Sequence, residues 1–295
     1  MDIRPIDPVS RPFFGGEVSG INITRPLTAD EARALDRGMD QYGVLVFHGQ
    51  PFTDETQIGF SRNFGGLEEA TGDLNWGKPR RIESPLVNDI SNLGLENEVL
   101  ARDSRRRLFS LGNRLWHSDS SFKVVPAKYS LLSARSIPSA GGNTEFADMR
   151  EAYDTLDQDT KKECDGLICE HSQIFSRSLL GFDQFTEEEL VRFKPVQQRL
   201  VRVHPSTGRK SLYLASHAGT ILGWPVPEAR AFLRDLNEHA TQRKFVYAHE
   251  WKQWDLVIWD NRATMHRARP FDPKQVRDMH RTTVACERST MAEAA

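Results

Sequence analysis

The sequence has little cysteine. Cys164, Cys169 and Cys286 are the only three, and no Cys-x-x-Cys occurs. So sparse and odd a set excludes a disulfide framework or a zinc knuckle and fits a reducing compartment. Long apolar runs are also missing: Val44 to Phe47 is far short of the ~20 residues that span a bilayer. The opening Met1-Asp2-Ile3-Arg4-Pro5 has no apolar signal core, so a cytoplasmic protein is expected. Neither charge sign dominates. With 39 basic against 41 acidic residues the net charge is −2, which argues against a general binder of nucleic acid or anionic membrane. No internal repeat or low-complexity tract interrupts the chain. What remains is an ordinary soluble composition, 38% hydrophobic and 27% charged over 295 residues, enough for one large domain spanning 1–295.

Local signals predict many short strands with a few helices. Thr28-Ala29-Asp30-Glu31 is a capping box, so a helix follows with Ala32, Leu35 and Met39 on one face, ending near Gly43. The run from Tyr42 to His48 is short, β-branched and apolar, and reads as a buried strand. Thr53-Asp54-Glu55 opens a second helix that carries Phe60 and Phe64 and stops at Gly65-Gly66. Residues 66–112 are polar and irregular, apart from a short strand at Leu86 to Ile90 and the triplet Arg105-Arg106-Arg107. Lying just before His117, they are a candidate active-site lid, with a variable surface insertion as the alternative. Further strands are expected at 129–137, 143–146, 167–175, 199–204, 210–215, 245–251, 255–260 and 281–286. Helices are expected from Asp148 to Leu156, near 160–165, and from Pro227 through His239. The fold class is mainly β with peripheral helices, a sandwich or barrel.

Chemistry concentrates at Trp116-His117-Ser118-Asp119-Ser120-Ser121-Phe122. His117 and Asp119 are two apart, so on an extended strand they share a face. His266 could complete a two-histidine, one-carboxylate set, the ligand type that holds non-haem Fe(II) and leaves positions open for substrate and O2. A His-x-Asp pair alone also arises by chance. The 147-residue gap from Asp119 to His266 is wrong for a zincin, whose histidines sit four apart on one helix. Arg277 and Arg281, four apart, would face the same side of a strand, and inward guanidiniums require anions. Arginine offers a carboxylate a planar fork that lysine lacks. Two arginines near one metal therefore suggest two carboxylates, against the alternative of salt bridges to acids such as Asp278 or Glu287. Thr144 offers a hydroxyl on a short strand, and Trp259, Phe122 and Trp116 are either site walls or core.

Together these motifs resemble a known family, the taurine and 2,4-dichlorophenoxyacetate dioxygenases. The likeness continues through Gly141-Gly142-Asn143-Thr144-Glu145-Phe146-Ala147-Asp148-Met149-Arg150, Ala240-Thr241-Gln242, Trp259-Asp260-Asn261-Arg262, His266-Arg267 and the run from Arg277 to Thr282, in the same order and spacing. The resemblance implies a double-stranded β-helix (jelly-roll, cupin-like) core and an Fe(II)- and 2-oxoglutarate-dependent dioxygenase. It implies iron at His117, Asp119 and His266, and the distal carboxylate of 2-oxoglutarate at Thr144 and Arg277. It also implies the substrate's anionic group at Arg281, with Asn113 on the substrate side, and O2 as the other co-substrate. The Ser-Asp-Ser-Ser-Phe and Gly-Gly-Asn-Thr-Glu-Phe-Ala-Asp-Met-Arg runs are closer to the phenoxyacetate branch. The expected substrate is thus a small aromatic carboxylate, an aryloxyalkanoate, as in herbicide degradation, cleaved to a phenol and a 2-oxo acid. A taurine, alkylsulfonate or sulfate-ester dioxygenase is the alternative on the same scaffold. A binder that has lost its metal and a zinc hydrolase are more distant ones. No nucleic-acid or membrane partner is expected; homo-oligomerisation is left open.

Overall fold

A computed structural model describes residues 1–70 and 79–293. The strands are β1 (Asp2–Asp7), β2 (Arg11–Ser19), β3 (Val44–Phe47), β4 (Asn88–Asp89), β5 (Ala127–Ser136), β6 (Thr144–Asp148), β7 (Ile168–His171) and β8 (Val196–Arg199). They continue with β9 (Val201–Val203), β10 (Lys210–Leu212), β11 (Ala218–Ile221), β12 (Val246–His249), β13 (Leu256–Asp260), β14 (Thr264–Ala268) and β15 (Asp278–Ala285). A seven-stranded sheet has the order β1-β2-β3-β13-β5-β15-β4, and a three-stranded sheet the order β12-β6-β14. A second three-stranded sheet has the order β11-β7-β8, and β10 and β9 form a pair.

The period of two along each strand decides what faces what. Val44, Val46, Leu132, Ala134, Val257, Trp259 and Met279 of the large sheet pack against Phe146 and Tyr247 of the small one. The alternate residues Leu45, Phe47, Tyr129, Leu131, Leu256 and Ile258 pack instead on Leu35, Met39 and Phe60 of the covering helices. The small sheet turns its other face, with Ala147 and Met265, toward helix Val226–Ala240. Two sheets face to face with helices outside is the expected mainly-β architecture. Polar side chains with inward parity, such as Ser130, Thr144, His266 and Arg281, must then meet between the sheets.

Several local expectations hold. Thr28 caps helix Ala29–Tyr42 in a full capping box with Glu31, and Gly43 ends it at φ 66°. Asp148 accepts from the backbone of Arg150 and Glu151 at the start of helix Met149–Asp154. Others need correction. The strand expected at 167–175 stops at His171, because the Ser172 hydroxyl caps helix Gln173–Ser178. The strand expected at Leu86 to Ile90 shrinks to Asn88–Asp89. Part of the 66–112 stretch, residues 71–78, lies outside the described residues. The rest is fastened down. Arg81 holds Asp89 (2.8 Å) and Asp278 (2.5 Å), and Arg106 holds Asp89 (2.8 Å), tying the stretch to the start of β15. Its triplet lies in helix Arg105–Ser110, whose Phe109 packs on Phe182 and Phe193. No helix among the described residues is long and apolar enough to cross a membrane.

One turn transfers the chain from the large sheet to the small one. β13 pairs with β3 and β5, whereas β14 pairs with β6, so His266 lies in the other sheet from β13. Asp260, fully buried, fixes this turn: it accepts from Arg262 N, Nε and Nη2 (2.8, 2.9 and 2.7 Å) and faces His204 Nε2 at 3.0 Å. Burial alone would raise its pKa, but Arg262 first and then His204 hold it far below the usual carboxylate range. Removing one partner of a buried pair costs about 3–5 kcal/mol. Arg262→Ala should therefore lose about that much stability in urea unfolding; a loss below about 1 kcal/mol would show that the pair does not secure the turn.

Candidate active site

His117 and Asp119 converge by a route other than strand alternation. His117 forms an isolated bridge to His266, with backbone hydrogen bonds of 3.0 and 2.8 Å in the two directions. Ser118 is held by Leu214 O (3.3 Å) and Thr264 O (3.0 Å). The chain then turns at Ser120, whose φ of 54° is a left-handed conformation uncommon for serine, with its hydroxyl donating to Glu68 (2.7 Å). A bridge followed by a turn, not a strand, brings the two side chains to one point. The same bridge brings His266 opposite His117, their ring centroids 4.2 Å apart.

One donor atom from each of His117, Asp119 and His266 lies within 4.8 Å of the others, and all three residues are buried. Both imidazole Nε2 atoms stand 3.8 Å from an oxygen of Asp119. That is too long for a hydrogen bond, yet donors each about 2.1 Å from one ion lie within about 4.2 Å of each other. His117 Nδ1 is 2.8 Å from Leu115 O, which fixes the proton there and leaves the Nε2 lone pair toward Asp119. His266 Nδ1 has no hydrogen-bond partner among the described residues. Burial, the largest influence on both histidines, lowers their pKa and favours the neutral form a metal needs. Burial pushes the Asp119 carboxyl up, but Arg281 first and the two imidazoles next hold it well below its usual range. The donor set fits a divalent transition metal of the Fe(II) type.

Groups behind Asp119 orient it. Ser130 Oγ donates to Asp119 Oδ2 (2.7 Å). Asn261 Oδ1 accepts from Asp119 N (2.9 Å) and Trp259 Nε1 (3.1 Å), and its amide donates to Ser130 (2.9 Å). Arg281 Nη1 donates to Asp119 Oδ1 (2.6 Å), and its Nε makes no hydrogen bond among the described residues. The salt-bridge alternative raised for this arginine thus has a different acid: Asp119 itself.

Arg277 stands just before β15, and the irregular stretch positions it: Asn92 Oδ1 accepts from Arg277 N (2.8 Å). Its side chain is buried, with Gly142 O at 3.4 Å and no ion pair among the described residues. Asp278, the acid suggested for it, goes to Arg81. Burial alone lowers its pKa, to about 10. Gly142 (φ 71°) sits tightly beneath it, since a Cβ there would come 3.3 Å from Arg277 Nε. Thr144 Oγ1 accepts from Trp251 Nε1 (3.0 Å), which leaves the hydroxyl proton to donate.

One cavity of about 210 Å³ joins all of these groups. His117, Asp119, His266, Thr144, Arg277 and Arg281 line it, and so do Asn113, Phe122 and Trp259. Trp259 is both core and wall, fully buried with its ring 4.6 Å from His266. Trp116 lies under Arg267 instead and is not in the lining. Sequence reasoning missed Ser130, Trp251, Arg177 and His217. Ser130 and Trp251 carry a signal only in retrospect, as polar or amphipathic residues of inward parity. Arg177 and His217 carry none, because the elements that deliver them are too short to show a period.

The chain matches the model of the family described as Taurine catabolism dioxygenase TauD, TfdA family over residues 2–283. It is 45% identical over 272 residues to an alpha-ketoglutarate-dependent 2,4-dichlorophenoxyacetate dioxygenase of Cupriavidus pinatubonensis, covering 92% of this chain and 94% of that one. It is 36% identical to a (S)-phenoxypropionate/alpha-ketoglutarate-dioxygenase of Sphingobium herbicidovorans, over 96% and 94% of the two chains. Among solved structures, AAD-2 in complex with Mn(II) and N-oxalylglycine superposes with a TM-score of 0.95 at 56% identity, over 98% of this chain and 99% of that one. A buried triad of metal-ligating type, two arginines and a shared cavity, with these likenesses along nearly the whole chain, place it plainly: the protein belongs to the TauD, TfdA dioxygenase family.

Proposed function

We propose that the protein is an Fe(II)- and 2-oxoglutarate-dependent dioxygenase that hydroxylates an aryloxyalkanoate such as 2,4-dichlorophenoxyacetate, the substrate named for its relative. The observation that most supports this is the separation of tasks between two arginines in one cavity. Arg277 is buried beside Thr144, and Arg281 touches the metal-type ligand Asp119. His117, Asp119 and His266 would hold the iron, which would supply the activation of O2. One oxygen atom enters succinate as 2-oxoglutarate loses CO2, and the other enters the substrate as a hydroxyl. The carbon oxidised is bonded to both the carboxylate and the ether oxygen, so the product is a hemiacetal. It collapses to a phenol and a 2-oxo acid, glyoxylate from an oxyacetate.

The chain's own groups orient both acids. Arg277 offers its fork, and Thr144 a hydroxyl, to the distal carboxylate of 2-oxoglutarate; N-oxalylglycine, bound in AAD-2, is that molecule with a methylene replaced by NH. Because the target carbon adjoins the substrate carboxylate, the group that binds that carboxylate must stand next to the metal. Arg281 meets this requirement through its contact with Asp119. Asn113 lies on the substrate side of the lining, and the stretch 79–112, pinned through Arg81 and Arg106, forms the wall that closes over it.

Arg277→Ala should raise the 2-oxoglutarate requirement by about 30- to 4,000-fold, the cost of about 2–5 kcal/mol for a buried charge pair, with a much smaller change for the aryl acid. Thr144→Val should do the same by only about two- to tenfold. Succinate formation at varied 2-oxoglutarate checks both; a change confined to the aryl substrate would mean the two arginines are assigned the wrong way round.

The substrate class is tested by succinate formation from phenoxyacetates, their methyl esters, taurine and an alkyl sulfate, for the parent and Arg281→Ala. The parent should consume the phenoxyacetates best and the esters poorly. Arg281→Ala should lose about 30- to 4,000-fold on the acids and much less on the esters. Preference for taurine or the sulfate would establish the sulfonate branch instead, and equal losses on acid and ester would assign Arg281 to the support of Asp119.

A further inference from the structure

Six arginines line the cavity among the described residues; with Arg277 and Arg281 assigned to the two carboxylates, Arg177 is the one of the other four that is buried. Arg177 lies in helix Gln173–Ser178, is 5% exposed, and lines the cavity with Arg277 and Arg281. Its Nη1 donates to Ser176 Oγ (3.1 Å), and its Nε is buried with no partner among the described residues. Nη2 makes no hydrogen bond and the side chain no ion pair among the described residues. Burial alone acts on its charge, lowering its pKa to about 10. A guanidinium is seldom buried like this unless something outside the chain answers it.

Its surroundings are aromatic. The guanidinium lies over the face of Phe109 at 4.5 Å. Gly112 permits that depth, because a Cβ there would come within 2.2 Å of Arg177 Cζ. Ser176 Oγ connects Arg177 to His217 Nδ1 (2.9 Å). The His217 ring packs 5.0 Å from Phe122 and 6.1 Å from His117. Burial first, then Arg177, push the His217 pKa well down, so its ring is neutral. Phe109, Arg177, His217 and Phe122 therefore form one continuous patch that reaches a metal-type ligand and lines the same cavity.

We infer that Arg177 is a specificity-determining residue that meets the aryl ring of the substrate and favours electronegative substituents on it. This rests on the aryloxyalkanoate reading above. With the carboxylate at Arg281 and the adjoining carbon at the metal, the ring occupies the remaining aromatic slot. There the two phenylalanines and the neutral imidazole accept its faces. The unpaired Nη2 donor meets lone pairs at its edge, which a chlorine or nitro group carries and a methyl group of similar size does not.

The test compares each chlorophenoxyacetate isomer with its methylphenoxyacetate isostere, for the parent, Arg177→Met and Arg177→Lys. Both kcat/KM and the calorimetric Kd are measured. For at least one isomer the parent should prefer chloro over methyl by about two- to thirtyfold, the range of a cation's contacts from exposed to desolvated sites. Arg177→Met should bring that ratio close to one. Arg177→Lys, which keeps charge but loses the fork, should fall between. Losses by one common factor on every ring would overturn the inference and make Arg177 a clamp between its helix and Phe109. Should Arg177→Met fail to fold, an unaltered chloro-to-methyl ratio in Arg177→Lys overturns it equally. A parent that consumes and binds no phenoxyacetate overturns the substrate class and this role with it.

Discussion

A carboxylate taken out of water stays ionised only where the chain supplies enough positive charge and enough donors, and Asp119 is held in that condition. Arg281 supplies the charge, Ser130 a hydroxyl, and the turn at Ser120 the direction. Each partner comes from a different part of the fold: β15, β5, and the loop after the bridge to β14. The carboxylate can be where it is only if the two sheets face each other at the observed register. Asn261, in the turn between the sheets, ties two of these pieces, the loop and β5, to β13 by bonding Asp119 N, Ser130 and Trp259 at once. The site is thus a consequence of how the sheets are joined.

The same constraint explains the arginines. Between two apolar sheets a guanidinium must meet an anion or raise the energy of the folded chain. Arg281 meets Asp119, and Arg277 meets no anion among the described residues, its guanidinium donating to the Gly142 carbonyl oxygen. A cavity that concentrates uncompensated positive charge around a neutral-histidine metal set is built for small acids. Its volume and aromatic lining favour one whose remainder is an aryl ring.

Much of this was legible in the sequence, for physical reasons. Short, β-branched apolar runs showed the strands Val44–Phe47 and Leu256–Asp260, and the capping box at Thr28 and Glu31 fixed the first helix. The His117, Asp119 and His266 set could be named because few chemistries use that residue combination. The means of their convergence could not be read, since a left-handed Ser120 and a two-hydrogen-bond bridge leave no periodic trace. Nor could β14 be placed in the second sheet, because the Asp260–Arg262 turn looks the same whether the next strand returns or crosses. Ser130, Asn261 and Arg177 were illegible as site groups because Asp119 and Phe109, the groups that bring them to the site, are distant in sequence and joined to them only by the fold.

If Asn261 is the tie between sheet geometry and metal geometry, removing its side chain should loosen the metal without unfolding the chain. Mn(II), detectable by its EPR signal, is a suitable probe of the ligand set. Losing a group that orients a metal ligand costs about 10- to 100-fold in metal affinity. Asn261→Ala should bind Mn(II) weaker by that factor while keeping the near-UV circular dichroism of the parent; an unchanged Mn(II) affinity in the folded variant would contradict the dependence of the site on that turn.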